Sequence, residues 1–126
     1  MRQIISTEKA PAAIGPYAQG WKFGNTIITS GQLPVDMATG TFPETIEEQT
    51  RMSLMNIKNI LEAQGYSMND VVKTTVLLSD MNNFGAMNGV YGTFFQEGCF
   101  PSRSAVEVAR LPKDALVEIE AIAYRD

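Results

Sequence analysis

Glu118 and Glu120 stand two residues apart in Leu116-Val117-Glu118-Ile119-Glu120-Ala121-Ile122. A strand there places both carboxylates on one face, roughly 7 Å apart. Such a pair can do general acid–base work, with burial raising one pKa. A solvated strand face is the plainer reading, although Leu116 and Ile122 fall on the same side and imply partial cover. Arg103, just after Pro101, can clamp a carboxylate through two parallel donors or sit salt-bridged at the surface. Arg110 offers the same chemistry with less in its favour. Ser30-Gly31 sets a hydroxyl beside a residue whose backbone a ligand can approach closely, or simply marks a hairpin edge. Asn88 interrupts an apolar helical stripe between Phe84 and Tyr91, so it needs partners, structural or ligand. Tyr17 reads as core or interface. Cys99, in a Gly-Cys-Phe-Pro loop with only Glu97 as an ionisable neighbour, reads as an inert thiol.

The chain of 126 residues contains no histidine. That excludes Ser-His-Asp and Cys-His nucleophilic machinery and every His-containing zinc site, and the lone Cys99 removes an all-cysteine site within one chain. Chemistry must come from carboxylates, Arg, Lys, Tyr, hydroxyls, backbone groups and water. The length predicts a single domain over residues 1–126, large enough to fold without disulfide or metal. Ten basic against 14 acidic residues give a net charge of −4. The basic residues are scattered, which disfavours a nucleic-acid surface. No apolar run approaches the ~18 residues of a membrane span, and the first residues lack a secretory pattern. With one cysteine, these features point to a cytoplasmic protein.

The elements that must position these residues follow from pattern. Tyr17 to Phe23 and Thr26 to Gly31 flank Gly24-Asn25, a hairpin signal. Pro34 to Pro43 reads as loop. Thr45-Ile46-Glu47-Glu48 is a capping box opening a helix that carries Ile46, Thr50, Leu54, Ile57 and Leu61 and stops at Gly65. Val71 to Ser79 reads as a central strand, with Val72, Thr74, Val76 and Leu78 on one face. Asp80 to Gln96 is helical, with Phe84, Met87, Tyr91, Phe94 and Phe95 on its stripe and Gly85, Gly89 and Gly92 on one bare face. Arg103 to Val108 and Leu116 to Tyr124 are strands joined by the turn at Pro112-Lys113-Asp114. With a short strand at Gln3-Ile4-Ile5 the order is βββαβαββ, an α+β domain of six strands and two helices. Two helices cover one face of such a sheet, so a second apolar face requires another cover, most simply further copies of the chain.

Four motifs become specific together: Ala13-Ile14-Gly15-Pro16-Tyr17, Ile28-Thr29-Ser30-Gly31-Gln32, Pro101-Ser102-Arg103-Ser104, and Val106-Glu107-Val108-Ala109-Arg110-Leu111-Pro112 followed by Val117-Glu118-Ile119-Glu120-Ala121-Ile122-Ala123. In this order and spacing the chain resembles the RidA (YjgF) family from Ile4 to Arg125. The resemblance implies a chorismate-mutase-like (bacillus-type) fold: a six-stranded mixed sheet with two helices on one face, assembled as a barrel-like homotrimer with ligand sites between subunits. It implies hydrolytic deamination of reactive enamine/imine intermediates, of the 2-aminoacrylate and 2-iminopropanoate type, to a 2-keto acid and ammonia. The resemblance implies that no cofactor or metal is needed, and the charge and hydropathy patterns above point to no nucleic-acid or membrane partner.

Position by position, the resemblance gives Arg103 the substrate carboxylate and Glu118 the attacking water. It places Tyr17, Ser30, Gly31 and Asn88 in the cleft lining. Ala105 stands where the family commonly has Cys; backbone groups hold the ligand there, so the departure bears on thiol-dependent behaviour rather than on binding. The loop Gln96-Glu97-Gly98-Cys99-Phe100 is shorter than in well-known members, which bears on cleft access. Two other functions compete: a non-catalytic binder of 2-keto acids, which needs Arg103 but not Glu118, and a ribonuclease, which an acidic chain without histidine disfavours.

Overall fold

Gly24-Asn25 reverses the chain, with Gly24 at φ +57°, where a side chain is strained. It joins β2 (Gly20–Phe23) to β3 (Thr26–Thr29), Phe23 opposite Thr26. This is the predicted hairpin, seen here in a computed structural model that describes residues 1–126. β1 (Arg2–Ile5) lies against β2. The loop that joins them is held by the Gln19 side chain, which accepts from the Thr7 N–H at 2.7 Å and donates to the Thr7 and Pro11 carbonyls at 3.0 and 2.9 Å. Because this loop diverts residues 17–19, β2 begins at Gly20 rather than at Tyr17, as the sequence suggests.

Helix α1 (Ile46–Glu62) opens where predicted, the Thr45 hydroxyl accepting from the Glu48 N–H. The reciprocal half of the expected capping box is replaced: the Glu48 carboxylate turns to Arg51, 3.5 Å away. A reciprocal box forms instead at Ser67 and Asp70, which the sequence reading passed over. Gly65, at φ +75°, ends the helical region with Tyr66 N–H donating back to the Leu61 carbonyl. Apolar positions at three- and four-residue steps, Leu54, Ile57 and Leu61, are fully buried against the sheet.

β4 (Val71–Leu78), β5 (Ser102–Glu107) and β6 (Val117–Tyr124) complete a sheet in the order β1-β2-β3-β6-β4-β5. All neighbours are antiparallel except β4 and β5. A bulge between Val71 and Lys73 shifts the β4 register, so Val71, not Val72, joins Thr74, Val76 and Leu78 on the buried side. Leu116 lies before β6 rather than on the Glu118 face. The Gln49 side chain takes its N–H at 2.8 Å, and its side chain packs on the core.

The predicted helix from Asp80 is broken. A short 3-10 turn at Met81–Asn83 precedes α2 (Phe84–Tyr91), and another follows at Gly92–Phe94. Three glycines in this stretch weaken a continuous helix, and a side chain at Gly85, Gly89 or Gly92 would meet nothing within 4 Å. Both helices lie on one face, where Val117, Ile119, Ala121 and Ala123 of β6 meet Leu54, Ile57, Met87 and Tyr91 in one core cluster. The architecture is α+β, with two helices over a six-stranded mixed sheet. The opposite face lies open. Ile4, Trp21, Ile28 and Ile122 stand side by side across four strands on it, with Ile4 54% and Ile122 38% exposed.

Candidate active site

Arg103 lies on β5 opposite Thr74 of β4 in the parallel ladder. Thr74 is buried under the helices, so Arg103 projects to the same side and reaches α2. Its Nη1 donates to Asn88 Oδ1 at 2.6 Å. The guanidinium carbon stands 4.8 Å from the Tyr91 ring centroid and 5.3 Å from that of Phe84. None of the chain's four ion pairs includes Arg103. One neutral amide oxygen and two ring faces thus hold a cation whose charge no acid neutralises. It opens on a cleft of about 650 Å³ that Asn88, Phe100 and Pro101 also line. A guanidinium so held can pair with an incoming carboxylate through its remaining donors.

Ala105 sits two residues on, its side chain half-buried against the core. Val108 N–H donates to Leu78 carbonyl at 2.8 Å. Because alternate residues of a parallel strand bond to the same neighbour, the Ala105 N–H and C=O point to the free edge of the sheet. They are open to a ligand or another chain.

Glu118 lies elsewhere. On β6 it is opposite Leu77 and faces the open side of the sheet, as does Glu120 opposite Thr75. Gln32 bridges Ile119 with paired backbone bonds of 2.7 and 3.2 Å, which lays Gly31 directly over the Glu118 carboxylate. Burial, and secondarily the Glu120 charge, push the Glu118 carboxyl above the ordinary carboxylate range. A carboxylate made more basic in this way is a better acceptor of a proton from water. The Ser30 hydroxyl donates to the Ala18 carbonyl at 2.5 Å, pinning the segment that carries Tyr17. Tyr17 is about half exposed and shares a cleft of about 400 Å³ with Gly31 and Gln32.

The predicted residues therefore fall into two groups. Asn88, Arg103 and Ala105 gather at the β5 edge on the helix side; Tyr17, Ser30, Gly31 and Glu118 gather on the open side. Two strand spacings and a three-residue offset separate Arg103 from Glu118 by roughly 14 Å along the sheet, and their side chains leave from opposite faces. They do not share a cleft within one chain. Arg110 stands apart from both groups, ion-paired to Asp114 at 3.1 Å. Cys99 is exposed.

The sequence of the family described as Endoribonuclease L-PSP matches residues 7–125. The chain belongs to this family, the RidA (YjgF) group. It is 56% identical over 127 residues, 99% of each chain, to the Escherichia coli K12 protein named 2-iminobutanoate/2-iminopropanoate deaminase. Among solved structures, the YjgF gene product of E. coli superposes with a TM-score of 0.93 at 54% identity, covering 98% of this chain and 99% of that one. E. coli TdcF with bound serine does so with a TM-score of 0.93 at 48% identity, over the same shares.

Within this RidA-family chain, sequence reasoning assigned Phe84 and Tyr91 to the core stripe and did not see that their ring faces also meet Arg103. The signal was present: Asn88 lies four residues after Phe84 and three before Tyr91, so all three side chains share one strip of helix surface. Asn88 itself is exposed rather than buried among apolar neighbours, because it sits at the solvent margin of that strip. Gln32 closes the Ile28-Thr29-Ser30-Gly31-Gln32 motif, but nothing in that motif marks its pairing with Ile119.

Proposed function

We propose that the chain is a cofactor-independent deaminase that hydrolyses 2-iminobutanoate, 2-iminopropanoate and the enamines that tautomerise to them. The observation that carries this reading is Arg103, a cation held by neutral groups alone at the mouth of an open cleft. It supplies the recognition that every 2-imino acid requires, a receptor for a planar carboxylate. The imine carbon is already electrophilic, so no covalent nucleophile is needed. Glu118 places a water and takes its proton as the oxygen attacks the imine carbon. The C=N bond becomes a C–N single bond, giving a carbinolamine. Return of that proton to nitrogen completes the carbinolamine; its hydroxyl proton then passes to nitrogen, again by way of Glu118, as the C–N bond breaks, so that ammonia leaves and the C=O of the 2-keto acid forms. Tyr17, Ser30, Gly31, Asn88 and the Ala105 backbone line the site.

Because Arg103 and Glu118 leave opposite faces of one sheet, the reading requires the site to form between copies. We take the assembly to be a homotrimer of chorismate-mutase-like subunits, its sheets closed into a barrel. The exposed row Ile4, Trp21, Ile28 and Ile122 supports this, since a lone chain rarely leaves so continuous an apolar strip to water. A cytoplasmic location fits the single free cysteine.

A coupled assay tests the reaction: a dehydratase or amino-acid oxidase generates the imine, and its disappearance is followed with and without the protein. Acceleration by wild type, lost in Arg103→Ala, is the expected result. No acceleration by a trimeric wild-type protein would leave a 2-keto acid binder in its place. Light scattering at micromolar concentration should give three chain masses.

A further inference from the structure

Arg103 is a long, flexible side chain on an edge strand, and holding it in one orientation costs rotamer entropy that its neighbours must offset. The Asn88 oxygen fixes one nitrogen. The plane of the guanidinium is set by something else, and the candidate is beneath it. The Tyr91 ring stands 4.8 Å from the guanidinium carbon, nearer than Phe84. Tyr91 is 4% exposed, and its hydroxyl meets Thr74 Oγ1 at 2.6 Å, where Thr74 is 1% exposed. Thr74 is also the residue opposite Arg103 in the β4–β5 ladder. The far edge of the ring is supported by Phe95, at a centroid distance of 4.9 Å. The hydroxyl bond closes a loop of contacts: strand β5 carries Arg103, Arg103 lies on Tyr91, Tyr91 is tied to Thr74, and Thr74 sits beside Arg103 on β4.

We propose that Tyr91, anchored by Thr74, is a positioning residue for the carboxylate clamp, its ring fixing the plane of the Arg103 guanidinium so that the donors not used by Asn88 face the cleft. This deepens the deaminase reading and rests on Arg103 being the clamp. The device has a physical logic. An acidic partner would orient an arginine equally well but would neutralise the charge that must attract an anion. A ring face and an amide oxygen orient it while leaving that charge intact. Burial of the Tyr91 hydroxyl keeps the phenol above its ordinary range, so the platform stays uncharged.

The position of Thr74 explains why the anchor lies on the sheet rather than on α2. The helix is short, with only eight residues, two of them glycine. The bond ties the ring to β4, a strand that is itself hydrogen-bonded on both sides.

Two measurements on the intact protein test the proposal. The first follows the Arg103 Nε–H resonance, assigned by its loss in Arg103→Lys. In wild type it should be shifted by the aromatic rings and ordered. Tyr91→Phe keeps the ring and should retain most of the ring shift while losing order; Tyr91→Leu should lose the order and the larger part of the shift, leaving only what Phe84 contributes. The second is kinetic. A clamp made equally in the ground and transition states acts on KM rather than on kcat. Tyr91→Phe and Thr74→Val should each raise KM for 2-iminobutanoate about 3-fold, and Tyr91→Leu about 10- to 30-fold, the range of a partly desolvated cation–π contact. In each, kcat should stay within about twofold. Thr74→Ser should restore the wild-type KM. The Thr74→Val/Tyr91→Phe double variant should be no worse than either single one, since both remove the same bond.

An unchanged Nε–H resonance in folded Tyr91→Leu would overturn the proposal. So would variants that lose thermal stability and kcat with KM unmoved, the mark of a plain core residue. If wild type fails to turn over imines, the deaminase reading falls, and the resonance alone still decides whether Tyr91 orients Arg103.

Discussion

The Glu118 carboxylate occupies the space that a side chain on Gly31 would fill: a methyl group there would stand 2.8 Å from Glu118 Cδ. Gly31 has an unremarkable backbone conformation for any residue, so its lack of a side chain serves the neighbour across the ladder, not its own φ.

Gly31→Ala should therefore displace Glu118 and spare the fold. The atoms in the way belong to the end of a flexible side chain, which can rotate towards the open face. Turnover should fall towards that of Glu118→Gln, while the melting temperature changes by no more than a few degrees, the effect of about 1 kcal/mol in a domain this size. Calorimetry and the coupled assay on the same sample check both halves; a large loss of stability with normal turnover would show that Gly31 is structural.

Glu118 and Glu120 separate by substitution. Glu118→Gln keeps the shape and removes the proton acceptor, so turnover should fall roughly 10²- to 10⁴-fold, the usual contribution of a general base. Binding of 2-oxobutanoate should survive. Glu120→Gln should act mainly through its charge on Glu118 and change turnover several-fold at most. Steady-state kinetics on samples of confirmed assembly state compares them, and equal losses would remove Glu118 from its role.

The pH dependence carries a defined sign. Glu118 is raised by burial first and by Glu120 second. As a base it must be ionised, so the acid limb of kcat/KM should lie above the ordinary carboxylate range, and Glu120→Gln should move it down. Stability runs the other way. Between the unfolded and folded pKa values the native state binds more protons than the unfolded chain, so stability falls as pH rises through that window. Urea titrations across the same window should show that fall in wild type and a flatter profile in Glu118→Gln.

Arg103→Lys preserves the charge and loses the geometry. An ammonium cannot present parallel donors to a carboxylate while holding Asn88 and packing against two rings. Loss of charge-assisted bonds worth about 1.5–3 kcal/mol corresponds to a fall in kcat/KM of roughly 10- to 10²-fold. Thermal stability should hardly move, because Arg103 is not in an ion pair. Near-normal kinetics would show that the clamp lies elsewhere.

The helix from Thr45, the Gly24-Asn25 hairpin and the alternating faces of β6 could be read from sequence because each is a local pattern, set within a few residues by capping, turn chemistry and pleat. What could not be read depends on partners distant in sequence. The bulge at Val72 follows from how β4 meets β6, some 50 residues away. Leu116 left the Glu118 face because Gln49 claims its N–H across 67 residues. At the proposed site, Arg103 and Glu118 stand out only through their motifs, and nothing local to either says which face of the sheet it leaves. The stripe pattern places Tyr91 in the core, and it is buried there; its contact with Arg103 depends on a strand that arrives from further along the chain.

That division of Arg103 and Glu118 between two faces has a genetic consequence. If the site forms between two chains, as proposed, it need not draw both halves from the same allele. Chains lacking Arg103 and chains lacking Glu118, each inactive alone, would rebuild intact sites when co-assembled, at about a quarter of the junctions if mixing is random. Two null alleles in one cell would then complement each other. Conversely, a chain defective in both halves would spoil the junctions on either side of it and act as a dominant inhibitor of its normal partners.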